Sequence, residues 1–517
     1  MDIVKDTRRR TVGQPRLFVD VTTSLMLAGE SPIGISRVEG EVACRLLCSS
    51  RFKTVPVVFR SDGVLLALSP EQVGRIFQAK PSQATLEDNA SLVPSTEAHS
   101  ERPSAALSEI HGQPMQVLRR PLSVKVRLRA TSLLRRFARG TVAALPPSVR
   151  EDVRSILIHS RQIARTMFYR SPPAESHHLQ QVPGLPTDTA ETSPPPRSPP
   201  PLRDQIIPEL GAVVHPGKGD ILWTAGLYSH FVPLRTLGEI REKTGLKVVT
   251  TFYDLVRVTH PQFNPASMSA DWFAADAIAM LDSSDLVFAI SNWSRSQLLE
   301  FAKQVGRPAP ETVAIQLGCD LSTRERISHP TALPSNLSQR RFALSVGTIE
   351  PRKNYALLLS IWEKLCDDPA FQMDLAVVGR SGFECESSVA EITNSPLFHR
   401  RIHWWRHCTD ATLRQLYESC HLFVYPSFVE GWGLPVTEAL ALGCPVIASD
   451  RGAIPEASYG LAQLLDPSDE EAWTEAISTA ARKRRGGKIL ENPPTWDAAA
   501  AAVANRLTQL SESSGVR

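Results

Sequence analysis

The sequence predicts an α/β protein with two doubly wound parallel sheets, one in each half of the chain. Short, continuously apolar segments alternate with segments of helical spacing, which is typical of parallel strands covered by helices on both faces. The chain has 517 residues, whereas a typical domain has about 150, so we expect two hydrophobic cores. A polar stretch at 322–339 separates the two series and predicts the linker.

The first half begins with a β-type segment at 16–22, a loop and a helical pattern at 36–47. Strand signals follow at 53–60 and 63–68, and the alternation resumes at GDILWTA after a long interruption. The later strand segments are LKVVTTFYD, LVFAIS and TVAIQLG, and the later helices are predicted at 234–244, 270–282 and 292–305. We expect a Rossmann-like domain over 14–325 with an insertion at 70–208.

The second half forms a complete doubly wound unit by pattern, which we expect over 338–485. Its strand segments are RFALSVG, MDLAVVG, IHWW, HLFVYPS, PVIAS and AQLLD. An alanine-rich helix is predicted at 496–507, within a final segment over 486–517. In two-lobed enzymes such a tail can return to the first lobe.

The insertion has an unusual composition. The stretch at 82–103 is polar and proline-bearing, and 171–208 contains eleven prolines, so both are expected to be extended and disordered. Between them, 118–139 carries eight basic residues interleaved with apolar ones. This segment is predicted to be an amphipathic helix, either on an anionic bilayer surface or packed on the main body.

Composition and charge exclude several classes of protein. The 57 basic and 54 acidic residues leave a net charge of only +3, too small for a nucleic-acid binder. The eight cysteines form no C-x-x-C pair and are expected to be reduced thiols. We find no secretory signal and no apolar run that could span a membrane, so a cytoplasmic location is expected, with the basic segment allowing peripheral contact with the inner face of the cytoplasmic membrane.

Two carboxylates follow the strand segment HLFVYPS and flank a glycine-rich turn, Glu430 before it and Glu438 after it. Ligands of open parallel sheets bind beyond the carboxyl ends of the strands. Pro435 suits the first helical position, which places Glu438 in the first turn, where its charge could also simply favour the helix dipole. Free amides at such a turn favour a diphosphate, and the carboxylates can accept hydrogen bonds from sugar hydroxyls. The turn residues expected to bind substrate are Gly431, Trp432, Gly433 and Leu434.

Cations for the diphosphate are expected in the loop SVGTIEPRKN. Gly347 ends a buried strand there, and Arg352 and Lys353 stand just before a helix. They either point into the cleft or form a solvated surface pair.

These residues resemble glycosyltransferase family 4, the retaining nucleotide-sugar glycosyltransferases with the GT-B fold of two Rossmann-like domains facing a cleft. The segment FVEGWGLPVTEALALGCPVIAS resembles the family's E-x7-E motif, and VGTIEPRKN, LAVVGRSG and LYESCHLFVYPS match in order and spacing. The resemblance implies that Glu438 holds the ribose hydroxyls, Glu430 contacts the transferred sugar and Lys353 binds the diphosphate. Arg352 is expected to replace the arginine that the family has where this chain has Thr348.

The resemblance also implies residues outside the motif turn. Gly34, in the loop 33–37, is expected to face the donor phosphates, and Arg380, in the loop 379–382, to line the base unless that loop only turns the chain. Tyr253 and Asp254 stand where the family has His-Asp, so Tyr253 would contact the transferred sugar but would not act as a base near neutral pH. His260 is interpreted as a structural turn residue.

The reaction expected from the resemblance moves a hexose from a nucleoside-diphosphate sugar to a saccharide or lipid-linked saccharide. No metal or other cofactor is expected, since no Asp-x-Asp motif follows a comparable strand. The EPRKN loop resembles mannosyltransferases of bacterial surface polysaccharide assembly, which favours GDP-mannose. The alternatives are a nucleotide-sugar epimerase of the same fold and a non-catalytic nucleotide-sugar-binding module.

Overall fold

The computed structural model describes residues 16–27, 34–60, 63–78, 211–226, 234–264, 270–321, 333–334, 336–382 and 385–513. The predicted α/β class is confirmed, because these residues form two sheets whose strand pairs are parallel except for one edge pair. The basic segment 118–139, the two proline-bearing stretches, most of the predicted linker and Ile33 lie outside the described residues.

The first sheet has seven strands in the order β3-β2-β1-β4-β5-β6-β7. They are β1 (Arg16–Asp20), β2 (Lys53–Phe59), β3 (Leu65–Ala67), β4 (Ile221–Thr224), β5 (Lys247–Phe252), β6 (Leu286–Ala289) and β7 (Glu311–Ala314). Strand β3 alone pairs antiparallel to its neighbour. The strand order reverses between β1 and β4, which is where such sheets bind ligands, beyond the carboxyl ends.

Apolar side chains on both faces of this sheet are buried under helices. In β1, Leu17 and Val19 enter one core and Phe18 the other, as the twofold alternation of a strand requires. The helices of this domain are α1 (Thr22–Met26), α2 (Ile35–Leu47), α3 (Pro70–Gln78), α4 (Leu234–Thr244), α5 (Val256–Thr259), α6 (Ala270–Ser283) and α7 (Asn292–Gln304), with a 3₁₀ turn at Pro261–Phe263.

Helix α3 corrects the N-terminal limit expected for the insertion. We expected the insertion at 70–208, but α3 occupies its first residues and buries Ile76 in the first core, with Val73 and Phe77 packed beside it. These three residues have the three- and four-residue spacing of one helical face. The first domain therefore continues to the end of α3, and its described chain resumes at Gly211.

The second sheet has six strands in the order β10-β9-β8-β11-β12-β13, all of whose pairs are parallel. They are β8 (Arg341–Val346), β9 (Met373–Val378), β10 (Ile402–Trp405), β11 (Leu422–Tyr425), β12 (Val446–Ser449) and β13 (Gln463–Leu465). The helices are α8 (Tyr355–Leu365), α9 (Glu386–Thr393), α10 (Asp410–Ser419), α11 (Leu434–Ala441), α12 (Ile454–Ala457) and α13 (Glu470–Arg482), with a 3₁₀ turn at Pro351–Lys353. This is the doubly wound order expected from the pattern.

The last helix, α14 (Trp496–Ser513), packs on the first domain. Trp496, Val503 and Leu507 are buried in the same core as β1 and α2. Gly318 allows the chain to approach, because a Cβ there would lie 2.3 Å from the backbone nitrogen of Trp496. The tail thus connects the two domains. No helix in the described ranges is both long and apolar enough to cross a bilayer.

Candidate active site

The two domains face each other across a cavity of about 590 Å³. It lies beyond the carboxyl ends of β5 in the first sheet and of β8, β9 and β11 in the second. All of the expected site residues line this cavity, namely Gly34, Tyr253, Asp254, Gly347, Arg352, Lys353, Arg380, Glu430, Gly431, Trp432, Gly433, Leu434 and Glu438. The fold therefore brings together residues that are up to 404 positions apart, here from Gly34 to Glu438.

Glu430 lies at the centre of a buried cluster of charges. Lys353 Nζ donates to its Oε1 at 2.6 Å, and Arg352 Nη1 donates to its Oε2 at 2.6 Å. The hydroxyl of Tyr425 also donates to Oε1, at 3.0 Å. Arg352 is held in turn by Glu350 and by the carbonyl of Val429. Both cations thus point into the cleft and are not a solvated surface pair.

The charges around Glu430 determine its protonation state. Burial raises the pKa of this carboxyl, but Arg352 and Lys353 outweigh burial and lower the pKa to about 2. Since the folded value is far below neutrality, Glu430 is ionised at every physiological pH. It can accept hydrogen bonds from a hydroxyl, but it has no proton to donate.

Glu438 lines the same cavity and contacts the first domain. Arg37 Nη1, from α2, donates to Glu438 Oε1 at 2.9 Å, and the hydroxyl of Tyr417 donates to Oε2 at 3.0 Å. Arg37 Nη2 also donates to both carboxylate oxygens of Asp410, at 2.7 and 2.8 Å. Burial raises the pKa of Glu438, and Arg37 and Tyr417 offset this only in part.

The helix after the motif turn begins differently from our expectation. Leu434 is its first residue and Pro435 its second, so Glu438 lies beyond the first turn. We expected Pro435 at the first position and Glu438 in the first turn. The difference arises because Gly433 caps the helix with φ of +121°, a conformation that only glycine adopts readily. Glu438 is therefore fixed by Arg37 and Tyr417 and not by the end of the helix.

Gly431 lies where the two domains approach each other closely. A Cβ at this position would lie 2.8 Å from Asp254 Oδ2 and 2.8 Å from the carbonyl oxygen of Tyr253. The Gly431 carbonyl accepts from the hydroxyls of Ser291 and Ser294 in the first domain, at 2.8 and 3.1 Å. The glycine is thus required for contact between the domains.

The first domain contributes the backbone turn before α2 and the end of β5. Gly34 has φ of +52°, and no atom of the residues that the structure describes lies within 4 Å of a Cβ built on it. The hydroxyl of Tyr253 donates to the carbonyl of Ala225 at 2.6 Å. Asp254 accepts from the backbone of Val256, and burial raises its pKa although Arg352 opposes this. His260 lies in the turn between α5 and the following 3₁₀ turn, as interpreted from the sequence.

Two glycines expected near the donor are explained by packing of the chain. A Cβ on Gly379 would lie 1.9 Å from the carbonyl oxygen of Gly347, and one on Gly382 would lie 2.7 Å from Thr348 Cγ2. The two loops form a parallel bridge between Ile349 and Ser381. Arg380, between the glycines, is the member of this loop that lines the cavity.

The sequence did not indicate the partners that fix the site. Asp410, Tyr417 and Tyr425 were given no role, and Arg37 was noted only as part of the loop before α2. Tyr425 follows the pattern of site residues, since it ends strand β11. Asp410 and Tyr417 lie on α10 and pair with Arg37 and Glu438, a relation for which the linear sequence carries no signal. In the described ranges, no three His, Cys, Asp or Glu side chains form a group that could hold a metal ion.

The fold and the cleft define a GT-B protein, two Rossmann-like domains with a site between them. Residues 340–483, which contain the second sheet, match the family model described as Glycosyl transferases group 1. The match confirms the resemblance seen in the sequence motifs.

Two curated relatives are named as mannosyltransferases. O-antigen chain mannosyltransferase B of Escherichia coli is 30% identical over 235 residues, which cover 45% of this chain and 60% of that protein. The serotype-specific mannosyltransferase WbdA of Escherichia coli is 26% identical over 247 residues, covering 45% of this chain and 30% of that protein. The matches thus span less than two thirds of these relatives.

Among solved structures, sucrose-phosphate synthase from Thermosynechococcus elongatus has a TM-score of 0.42 and 20% identity, covering 57% of this chain and 73% of that chain. The Anabaena HepE protein in complex with UDP and glucose has a TM-score of 0.39 and 18% identity, covering 57% of this chain and 76% of that chain.

Proposed function

We propose that this protein transfers a hexose from a nucleoside-diphosphate sugar to a hydroxyl of a saccharide or lipid-linked saccharide, with retention of the anomeric configuration. We propose mannose as the hexose and GDP-mannose as the donor, in polysaccharide assembly. The names of the Escherichia coli relatives, both mannosyltransferases, support this choice. We also propose three segments: a first domain over 14–325, a second domain over 338–485 and a C-terminal segment over 486–517. The insertion in the first domain is shortened by α3.

One observation carries the proposal: Arg352 and Lys353 converge on Glu430 inside the cleft. In the reaction, the bond from the anomeric carbon to the diphosphate oxygen breaks and the acceptor oxygen bonds to that carbon. The acceptor's proton passes to the departing diphosphate oxygen. Negative charge grows on the diphosphate as it leaves, so fixed cations beside it lower the barrier. No oxidation state changes, and the step needs no redox cofactor.

Lys353 has a donor available for a phosphate oxygen. Its ammonium group carries three N–H bonds, and its described partners are Glu430 Oε1 and the Tyr425 hydroxyl, at 2.6 and 3.0 Å. Its side chain is only 11% exposed, so the charge acts in a medium less polar than water, where it is stronger. We assign Lys353 to the diphosphate, with Arg352 and the amides of 431–433 beside it.

The two glutamates hold hydroxyls in this proposal. Glu430 is ionised and adjoins the cations, which suits it to accept from the hexose beside the diphosphate. Glu438 lines the same cavity and is held by Arg37 and Tyr417, which suits it to the ribose. Gly34 gives the phosphates room, Arg380 lines the base, and Asp254 adjoins the hexose. The Tyr253 hydroxyl donates its proton to the carbonyl of Ala225, so we propose that it can only accept a hydrogen bond from the sugar.

The wall formed by the first domain suits an acceptor with an apolar portion. Leu255, Phe273 and Met280 line the cavity there, beside Asp276. Asp276 Oδ2 is buried and has no hydrogen-bond partner in the described part of the chain. A saccharide hydroxyl would satisfy this oxygen, since a buried polar atom without a partner is costly. A lipid-linked saccharide fits both features, and we propose a cytoplasmic enzyme with peripheral membrane contact.

The test is a panel of nucleotide sugars. A ligand that binds only the native state raises its stability, by about 2.7 kcal/mol at a hundred times its Kd, so thermal unfolding with each donor identifies the one that binds. Incubation of that donor with an acceptor should then release the nucleoside diphosphate and a glycosylated product. Formation of a free sugar epimer from the donor alone would establish the epimerase instead, and binding without turnover would establish a binding module.

A further inference from the structure

We propose that Arg37 is the positioning residue for the ribose: it holds Glu438 in the geometry that receives the ribose hydroxyls, and it does so only when the two domains are closed. This inference rests on the proposed function, which assigns the ribose to Glu438.

Arg37 connects three elements that come from two domains. It lies in the first turn of α2, and its guanidinium donates to Glu438 on α11 and to Asp410 on α10. The contact with Asp410 uses both carboxylate oxygens, at 2.7 and 2.8 Å, so Asp410 fixes the orientation of the guanidinium. The side chains of Arg37 and Glu438 are 8% and 5% exposed. Opening of the cleft would separate Arg37 from both carboxylates.

Glu438 keeps acceptor capacity while it is held. Its Oε1 receives Arg37 and its Oε2 receives Tyr417, at 2.9 and 3.0 Å. An ionised carboxylate has about four acceptor positions, so each oxygen has one left for a hydroxyl. Two adjacent hydroxyls of a ribose match two oxygens of one carboxylate. Arg37 and Tyr417 therefore orient the group without occupying it fully.

Arg37 also retains one unused donor. Its Nε is buried and has no hydrogen-bond partner in the described part of the chain, while the residue lines the same cavity as Glu438. Each Nη atom has a carboxylate partner. A buried donor without a partner is costly. A ligand in the cavity could satisfy this N–H, which a role in joining the domains would not explain.

The charge of Glu438 depends on Arg37. Burial favours the neutral acid, Asp410 also raises the pKa of Glu438, and Arg37 is the cation that opposes both. Tyr417 on α10 donates to the carboxylate, and the thiols of Cys408 and Cys319, in the segments before α10 and after β7, interact with it electrostatically. Loss of Arg37 raises the pKa of Glu438 further. A protonated Glu438 offers fewer acceptor positions to the ribose, so nucleotide binding should then weaken at a higher pH.

The experiment compares Arg37→Gln and Arg37→Lys with Arg45→Gln as the matched control. Arg45 lies on the same helix and is paired with Glu41 and Asp497, away from the residues that line the cavity. Calorimetric titration of the full-length protein uses GDP and 2′,3′-dideoxy-GDP from pH 5 to pH 8, with UDP as the second ribonucleotide. Circular dichroism confirms that each variant is folded.

We expect the unaltered protein to bind GDP or UDP and to disfavour the dideoxy nucleotide. Arg37→Gln should weaken ribonucleotide binding by about 10- to 100-fold at pH 7, as for loss of a hydrogen bond to a charged group. Dideoxy-GDP binding should change by less than about threefold. The acid limb of GDP binding, which is the loss of affinity as the pH falls, should move to higher pH. Arg37→Lys keeps the charge and should restore the acid limb in part. Arg45→Gln should behave like the unaltered protein.

Two results would overturn the inference. Equal weakening of ribonucleotide and dideoxy nucleotide in Arg37→Gln would reduce Arg37 to a residue that only joins the domains. Unchanged GDP binding with an unchanged acid limb in Arg37→Gln would remove Arg37 from the site. Should the glutamine variant fail to fold, equal weakening of GDP and dideoxy-GDP binding in Arg37→Lys would overturn the inference. A different result refutes the proposed function itself: an unaltered protein that binds no nucleoside diphosphate, or that binds the dideoxy form equally well.

Discussion

Substitution of Lys353 by methionine removes one charge from the centre of the site and leaves most of the side-chain volume. In the folded protein Lys353 Nζ lies 2.6 Å from Glu430 Oε1 and 3.0 Å from the hydroxyl of Tyr425. Methionine keeps an unbranched apolar chain in this space. Glu430 retains Arg352 Nη1 at 2.6 Å, so its carboxylate is still paired.

The effects on stability and on turnover should therefore differ in size. Breaking a fully buried pair costs about 3–5 kcal/mol because a charge is left alone, but here a second cation and a hydroxyl remain. We expect a loss of about 1–3 kcal/mol, the cost of one hydrogen bond to a charged group. Turnover should fall by about 10²–10³, since a donor aimed at the leaving diphosphate acts mainly in the transition state.

The assay is release of nucleoside diphosphate at saturating donor and acceptor, at a temperature where both proteins are folded. Lys364→Met is the matched control, because Lys364 is an exposed lysine on the neighbouring helix α8. It should keep both stability and turnover. A Lys353→Met protein that retains its kcat within about threefold would refute the assignment of Lys353 to the diphosphate, whatever its stability.

Three further changes test other parts of the structure. Gly431→Ala should weaken donor binding and turnover by at least about tenfold, because its Cβ would lie 2.8 Å from Asp254 Oδ2 and from the Tyr253 carbonyl oxygen. Gly40→Ala is the control and should be neutral or stabilising, because the nearest neighbours of its Cβ would lie at 3.7 Å. Equal donor affinity in the two variants would contradict the required close approach. The pKa of Glu430 falls from 4.5 to about 2 on folding, so this carboxylate should contribute about 3 kcal/mol to stability above pH 5, and this contribution should disappear as the pH falls toward 2. Denaturant unfolding of Glu430→Gln should lack this part of the pH dependence, and parallel curves for the two proteins would contradict it. Deletion of 118–139 should reduce binding to vesicles that contain anionic lipid, measured by sedimentation at low salt; undiminished binding would refute membrane contact through this segment.

The sequence was sufficient to predict the class of fold and a set of residues that the fold brings together in one cavity. Each strand of the second sheet appears as a short, mostly apolar run, because both faces of the sheet are buried. Glu430, Glu438 and Lys353 could be found because ligands bind where such strands end. Their convergence then follows from the order of the strands.

Other features depend on contacts between distant residues and had no sequence signal. Arg37 is 401 positions from Glu438 and 373 from Asp410, and the sequence around these residues indicates neither contact. The sequence also did not indicate that Gly379, in the loop expected to line the base, lies against the carbonyl of Gly347. The start of helix α11 differed by one residue, because Gly433 and not the proline sets it.

The most direct test of the central claim is a crystal structure of the protein with its nucleotide-sugar donor. We predict the diphosphate within about 3 Å of Lys353 Nζ and a guanidinium nitrogen of Arg352, as hydrogen bonds require. The ribose hydroxyls should contact the Glu438 carboxylate. A donor bound in the cleft with its diphosphate away from Lys353 and Arg352, or its ribose away from Glu438, would contradict the claim.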